Sequence, residues 1–187
     1  MKGVVMAAEP DFTFPAVWTE DDLATLPEDG HRYEIVDGSL IMTPPASYHH
    51  QSISFNLSLL LHDAAFKGWK VRTELGVRVP GANLVPDIVV LRPDGARPGL
   101  WQAAGSVALV VEIASKSTKV FDDEVKKRLY AAAGIPSYWQ ITQDGDLLAH
   151  SGPKPDGYGD TVVAAPGRVF DAAEPFPIRF DPADLAD

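Results

Sequence analysis

The chain has no cysteine, no long hydrophobic run and few basic residues. The absence of cysteine excludes disulfides, thiolate metal sites and a cysteine nucleophile. No apolar run approaches the roughly 18 residues that a membrane-spanning helix needs. The first ten residues, MKGVVMAAEP, hold too short an apolar stretch for a secretory signal. We therefore expect a cytoplasmic protein that does not associate with membranes.

Acidic side chains outnumber basic ones. The 187 residues include 26 Asp and Glu but 16 Lys and Arg, which gives a formal net charge of −10. Proteins that coat nucleic acid without specificity are usually basic, so the composition disfavours that class. An enzyme with a locally basic cleft remains compatible with it.

Length and composition indicate one globular domain. The chain is close in length to the ~150 residues of a typical domain, and 45% of its residues are hydrophobic. We expect a single domain over residues 1–187. Within it we expect a loose N-terminal arm at 1–14, a core at about 19–150, and a C-terminal extension with edge strands at 151–187.

Hydrophobic periodicity predicts a mixture of helices and strands. Asp37-Gly38 between two alternating runs predicts a hairpin. Helices are predicted at 19–26, 49–67 and 122–133, and further strands at 69–79, 84–91, 107–114, 137–142 and 147–150. Loops are predicted at 92–105 and 151–160, and edge strands at 161–165 and 168–170.

Two acidic residues interrupt the most apolar predicted strands. Asp87 follows Pro86 and precedes Ile-Val-Val-Leu, and Glu112 lies inside Leu-Val-Val-Glu-Ile-Ala. A lone buried carboxylate is unfavourable unless it is paired, protonated or bound to a cation. A divalent cation between neighbouring strands would compensate both acids, and Mg²⁺ favours carboxylates, waters and phosphate oxygens. The pattern therefore points to a metal-assisted hydrolase that acts on phosphodiesters.

A purely structural interpretation of both acids stays open at this point. Glu112 is also compatible with a core ion pair to Lys116 or Lys126. Asp87 is also compatible with a cap on the turn that follows Pro86. Neither arrangement needs a metal ion.

Several short stretches, in a specific order and spacing, resemble a known family. Asp87 after Pro86, with Glu112 on an apolar strand 25 positions later, resembles the PD-(D/E)XK nuclease superfamily. More specifically, the chain resembles the Uma-two family of putative restriction endonucleases. The matching stretches are residues 33–40, 44–51, 85–90, 110–115, 122–130 and 133–139.

This resemblance implies an α/β (α+β) fold with a restriction-endonuclease-like core, in which helices flank a mixed central β-sheet. It implies an endonuclease that uses Mg²⁺ or Mn²⁺ to hydrolyse DNA phosphodiester bonds. Asp87, Glu112 and the carbonyl of Ile113 would bind the metal ion, and Glu34 would assist there as a catalytic residue. His50 and Gln51, at the start of the long helix, would face the substrate.

The superfamily's lysine is missing from its usual position, because Glu-X-Lys would place it where this chain has Ala114. The resemblance offers Lys126 as the replacement, four residues before Tyr130 and on the same helix face. There it would orient the attacking water and stabilise charge on the phosphate. An ordinary solvated helix face explains the same spacing. Lys116, just past the strand, is a second substitute and a candidate substrate-binding residue.

The alternative function is a catalytically inactive binding or interaction module on the same nuclease fold. Ala114 and the net charge of −10 both favour it, because non-specific affinity for DNA depends on cationic side chains. The expected partner of the nuclease is nucleic acid, with DNA as the first choice. Exposed strand edges would offer surfaces for a homodimer.

Overall fold

The computed structural model of the protein describes residues 15–114 and 121–186. The predicted arm at 1–14 and the candidate residue Lys116 lie outside the described residues. Within those two ranges, no helix combines the length and the apolar character needed to cross a bilayer.

The described chain contains three α-helices, shorter helical segments and a larger number of strands. The helices are α1 (Glu20–Leu23), α2 (Tyr48–Ala64) and α3 (Lys127–Ala132), with a π-helical segment at Phe121–Lys126 and 3-10 turns at Ala104–Ser106 and Pro182–Leu185. The strands are β1 (Arg32–Val36), β2 (Ser39–Thr43), β3 (Lys70–Thr73), β4 (Gly76–Val79), β5 (Ala82–Leu84), β6 (Ile88–Leu91), β7 (Trp101–Ala103), β8 (Val107–Ile113), β9 (Ser137–Ile141), β10 (Leu147–Lys154), β11 (Gly157–Ala164), β12 (Phe170–Ala172) and β13 (Ile178–Phe180).

Most strands belong to one of two sheets. Sheet A has the order β2-β1-β5-β4-β7, and sheet B has the order β11-β10-β9-β8-β6-β3. In sheet B, β8 is parallel to β9 and antiparallel to β6. β12 and β13 form a separate antiparallel hairpin. The expected mixed central sheet with flanking helices is therefore confirmed.

The central strands β6, β8 and β9 of sheet B are buried at every position, which explains why β6 is apolar throughout and β8 is apolar except at Glu112. Side chains alternate between the two faces along each strand. Ile88 and Val111 pack toward α2 and the β12–β13 hairpin. Val89 and Val110 pack toward sheet A and Tyr130 of α3. Sheet B is therefore the middle layer of the molecule.

Helix α2 covers one face of sheet B, as its hydrophobic stripe predicts. Ile53, Leu57 and Leu61 recur at intervals of four residues, and all three are buried. The side chain of Ser47 accepts a hydrogen bond from the backbone N–H of His50 at 3.3 Å and caps the helix. The helix ends at Ala64 rather than at residue 67.

The predicted strands at 69–79 and 84–91 are each broken in two. β3 pairs with β6 in sheet B, whereas β4 pairs with β5 in sheet A. The break in the first strand is at Glu74, which has a φ of 51° and donates its N–H to the carbonyl of Asp87 at 3.1 Å. The break in the second strand includes Pro86, which has no N–H for a ladder. These breaks bring Glu74 and Asp87 to the seam between the two sheets.

Two predicted loops contain strands. Residues 92–105 include β7, which runs parallel to β4. The loop prediction at 151–160 is wrong, because β10 extends to Lys154 and pairs with β11 from Gly157. β10 pairs with β9 only as far as Ser151. At Pro153, β10 therefore has a paired neighbour, β11, on one edge and none on the other. A proline without an N–H is tolerated at such an edge, so the Gly/Pro content of this stretch was misleading.

The packing of α2 gives a direct test of the core. We expect Leu57→Ala to lower the free energy of unfolding by about 2–4 kcal/mol, because Leu57 is fully buried and the substitution leaves a cavity. The matched control is Leu59→Ala on the same helix, where the side chain is 46% exposed. Urea unfolding should show a much smaller loss for Leu59→Ala, and equal losses would contradict this description of α2.

Candidate active site

Asp87 and Glu112 lie opposite each other at neighbouring ends of β6 and β8. The antiparallel register pairs Ile88 with Val111, so one residue further along Asp87 is across from Glu112. Because side chains alternate along a strand, both carboxylates project toward sheet A. Each residue is 2% exposed. The two acids therefore share one face of sheet B, on adjacent strands.

The Asp87 carboxylate accepts hydrogen bonds from three sides. Arg32 Nη2 donates to Oδ1 at 2.7 Å, and the backbone N–H of Ile113 donates to Oδ2 at 2.7 Å. His50 Nε2 lies 3.2 Å from Oδ2. Since an ionised carboxylate only accepts, the proton in this contact belongs to Nε2 of His50. β1, β8 and α2 thus all meet at one carboxylate.

These contacts keep Asp87 ionised. Burial by itself would raise its pKa, since the charged form loses hydration. The hydrogen bond and charge of His50, the charge of Arg32 and the Ile113 N–H outweigh burial and lower the pKa of Asp87 to about 2. Asp87 is therefore a buried anion at neutral pH.

Lys126 connects two other buried carboxylates. Its Nζ lies 2.9 Å from Oε1 of Glu34 and 3.1 Å from Oε1 of Glu112. The Lys126 side chain is 3% exposed. Glu34 also accepts the backbone N–H of Val85 at 2.7 Å. The core ion pair between Glu112 and Lys126, one of the open interpretations of the sequence, is thus present.

Tyr130 also contacts Glu112. It is one helical turn beyond Lys126, and its hydroxyl donates to Oε1 of Glu112 at 2.8 Å. Burial, followed by the negative charges of Glu112 and Glu34, raises the pKa of Tyr130 well above its usual value. The phenol therefore stays protonated and acts as a hydrogen-bond donor. The contact between its hydroxyl and Glu112 was not part of the sequence expectation.

Arg32 is the functional candidate that sequence reasoning missed. In addition to Asp87, its guanidinium contacts the carbonyl of Val85 at 3.1 Å and Oε1 of Glu74 at 3.2 Å. Burial by itself would lower the pKa of Arg32, but Asp87, Glu112 and Glu34 raise it instead. The sequence signal that could have identified Arg32 is its spacing from Glu34. Arg32 precedes Glu34 by two residues, and residues two apart on a strand share a face of the sheet.

The donor chemistry of the carboxylate pair fits a hard divalent cation. Carboxylate oxygens are ligands that Mg²⁺ prefers, and Mg²⁺ usually needs only one or two of them because it keeps several waters. Oδ1 of Asp87 accepts one hydrogen bond within the described ranges, which leaves a lone pair. In the same ranges, no group of three or more His, Asp or Glu side chains is arranged to hold a metal ion. The fit therefore depends on Asp87 and Glu112 with main-chain and water oxygens.

Residues that contact Asp87 line two cavities. Arg32 and Glu74 line a cavity of about 770 Å³ together with residues of α1, β4 and the chain before β7. His50 lines the other, of about 400 Å³, next to Ile113 and Ala114. Arg32 and His50, which both contact Asp87, therefore each reach a space large enough for part of a substrate.

The contacts of the described residues divide the predicted site residues into two groups. Asp87 contacts the side chain of His50 and the N–H of Ile113. Lys126 contacts Glu34 and Glu112. Arg32, which is bonded to Asp87, lies close enough to Glu34 and Glu112 for their charges to raise its pKa. Gln51 is exposed and lines neither of the two cavities.

Comparison with solved structures identifies the fold. The structure is similar to the "putative nuclease belonging to DUF820" from Anabaena variabilis ATCC 29413, with a TM-score of 0.68 and 19% sequence identity. The match covers 88% of this chain and 95% of that chain. The molecule therefore has a nuclease fold, as the sequence predicts.

The family follows from the sequence match. Residues 20–186 match the Uma2 family, which is described as "Putative restriction endonuclease". The chain belongs to this family, which confirms the resemblance found in its motifs. No curated protein matches the chain significantly.

The ion pairs of Lys126 predict a large cost when this residue is replaced. We expect Lys126→Met to lower the free energy of unfolding by about 3–5 kcal/mol, because Glu34 and Glu112 would lose a buried counter-ion. The control is Lys127→Met, the next residue, which is only partly buried. Its effect in urea unfolding should stay within about 0.5 kcal/mol. Similar losses for both variants would argue against the Lys126 contacts.

The low pKa of Asp87 predicts a pH-dependent contribution to stability. Its pKa of about 2 is below the ~3.9 of an unfolded aspartate, so its stabilising effect is complete above pH 4 and is lost as the pH falls toward 2. We expect the contribution of the Asp87 carboxylate to the difference in unfolding free energy between wild type and Asp87→Asn to have its full value near pH 5. It should shrink by roughly 2 kcal/mol between pH 4 and 2. Denaturant unfolding of both proteins in EDTA, repeated across this pH range, measures the difference. A difference that does not change between pH 4 and 2 would contradict the low pKa of Asp87.

Proposed function

We propose that this protein is a Mg²⁺- or Mn²⁺-dependent endodeoxyribonuclease that hydrolyses phosphodiester bonds in DNA. The observation that carries the proposal is the position of Asp87 and Glu112 across from one another on one face of sheet B, with the Lys126 ammonium on Glu112. Membership of a restriction-endonuclease family supports it. The proposal includes DNA as the substrate, assembly as a homodimer and a cytoplasmic location.

In this proposal Asp87, Glu112 and the carbonyl of Ile113 hold the divalent cation. When bound, such a cation activates water and neutralises charge on a phosphoryl oxygen. The N–H of Ile113 adjoins Asp87 already, at 2.7 Å from Oδ2. Since the pKa of Asp87 is lowered to about 2, no proton has to leave this carboxylate before it acts as a ligand at neutral pH.

Lys126 takes the place of the lysine that the superfamily carries two residues after the glutamate. Ala114 occupies that position here, and Lys126 brings an ammonium to within 3.1 Å of Glu112 from a helix. A cation there would orient the attacking water and stabilise negative charge on the scissile phosphate. Glu34 holds Lys126 from the other side, so we assign it a positioning role through that lysine.

His50, Gln51 and Lys116 remain predicted substrate-binding residues. His50 has the strongest support, because it contacts Asp87 and lines the cavity of about 400 Å³. Its Nδ1 is buried and has no hydrogen-bond partner within residues 15–114 and 121–186. A water molecule that reaches this nitrogen would satisfy it.

The nuclease function predicts that cleavage requires Asp87. Supercoiled plasmid and single-stranded DNA, incubated with Mg²⁺ or Mn²⁺, should be cut by the wild-type protein and left intact in EDTA. We expect Asp87→Asn and Lys126→Met to reduce cleavage by about a thousandfold or more, since each removes a charge from the reacting region. Gel electrophoresis over a time course measures the rates.

Two controls make the assay specific. Lys127→Met removes a neighbouring lysine that has no assigned role, and it should cleave at the wild-type rate. Circular dichroism at the assay temperature must show that Asp87→Asn and Lys126→Met are folded. Cation binding without cleavage of any nucleic acid by wild type would support the inactive binding module instead. Unchanged cleavage by Asp87→Asn would eliminate the proposed mechanism.

A further inference from the structure

Arg32 contacts two carboxylates that differ in exposure, those of Asp87 and Glu74. Its Nη2 donates to Asp87 at 2.7 Å and also lies 3.2 Å from Oε1 of Glu74. The Asp87 side chain is 3% exposed and that of Glu74 is 66% exposed. The same guanidinium therefore already reaches from a buried carboxylate to one that faces solvent.

The guanidinium also has unused bonding capacity and adjacent space. Its Nε is buried and lacks a hydrogen-bond partner within the described ranges. The cavity of about 770 Å³ is lined by both Arg32 and Glu74. Movement away from Asp87 would thus take Arg32 toward an acceptor it already contacts and into open space.

Lys126, unlike Arg32, contacts two carboxylates that are both buried. The two carboxylates that it contacts, Glu34 and Glu112, are 1% and 2% exposed as side chains. Movement of the ammonium would leave two buried anions without this cation, which is strongly unfavourable. Arg32 is therefore the cation that can leave at lower cost.

The charge of the cluster gives a reason for Arg32 to leave. Arg32 Nη2 contacts Oδ1 of Asp87, one of the oxygens that a divalent cation on Asp87 would use. The two positive charges would then compete for one carboxylate and repel each other at short distance. Movement of Arg32 toward Glu74 would relieve this repulsion and leave the guanidinium with an anionic partner.

We propose that Arg32 is the built-in counter-ion of Asp87 and that it moves from Asp87 to Glu74 when a divalent cation binds. This inference rests on the proposed metal site at Asp87 and Glu112. It identifies Arg32 and Glu74 as positioning residues that set the affinity of the site for the cation. Arg32 keeps the empty site neutralised, and Glu74 receives it when the site is filled.

The test measures Mn²⁺ affinity of the full chain by isothermal titration calorimetry without nucleic acid. We expect Arg32→Met to bind Mn²⁺ about tenfold tighter or more, because a competing cation is removed from Asp87. We expect Glu74→Gln to bind Mn²⁺ a few-fold weaker, because the displaced guanidinium loses its charged acceptor. Glu74 is mostly exposed, so Glu74→Gln is expected to fold.

A double variant separates this effect from simple loss of a nearby negative charge. In the Arg32→Met background, Glu74→Gln should leave Mn²⁺ affinity unchanged, since no guanidinium remains to be received. If Arg32→Met does not fold, Arg32→Lys replaces it in both arms. Lysine keeps the charge but lacks the planar fork that reaches Asp87 and Glu74 together, so Glu74→Gln should have a smaller effect there than in wild type.

Arg78→Met is the matched control. Arg78 lines the same cavity and pairs with Glu20 at 2.6 Å, away from the carboxylate cluster, so Mn²⁺ affinity should not change. Wild-type affinity in Arg32→Met, or a full Glu74→Gln effect in the double variant, would overturn the role of Arg32 and leave the proposed nuclease intact. No Mn²⁺ binding by wild type or any variant would overturn the metal site itself.

Discussion

The structure depends on the pairing of buried carboxylates with buried cations at the seam between two sheets. Asp87 and Glu112 come from sheet B, Glu34 comes from sheet A, and Arg32 and Lys126 neutralise them from β1 and the helix that precedes β9. Charges in such surroundings are tolerated only when they are matched and hydrogen-bonded. The pairing therefore constrains how β1, β6, β8 and the helix are arranged.

This constraint explains features of the backbone that hydrophobicity alone does not. The strands interrupted at Glu74 and at Pro86 pass from one sheet to the other at the seam. The break brings Glu74 N–H to the carbonyl of Asp87, while the Asp87 side chain turns to Arg32 and Ile113. An uninterrupted pair of strands would have kept these groups within one ladder.

Much of the fold and part of the site could be predicted from the sequence. The stripe on α2 and the apolar runs of β6 and β8 have strong signals, and the acids next to or within those runs are buried carboxylates of the candidate site. The break at Glu74 has no such signal, since its left-handed backbone is stabilised by contacts distant in sequence. Arg32 was missed for a similar reason, because its partner Asp87 is 55 residues away. Long-range pairing of this kind is decided by the tertiary structure.

The position of Lys126 on a helix has a consequence for the cavity that His50 and Ile53 of α2 line. Because Lys126 approaches Glu112 from a helix, the residue two places after that glutamate does not have to carry a charge. Ala114 fills this place with a single methyl group beside the cavity of about 400 Å³. A long basic side chain at the end of β8 would occupy volume there. The cavity therefore has a small, uncharged side chain at the end of β8, among lining residues that include His50 and Ile53.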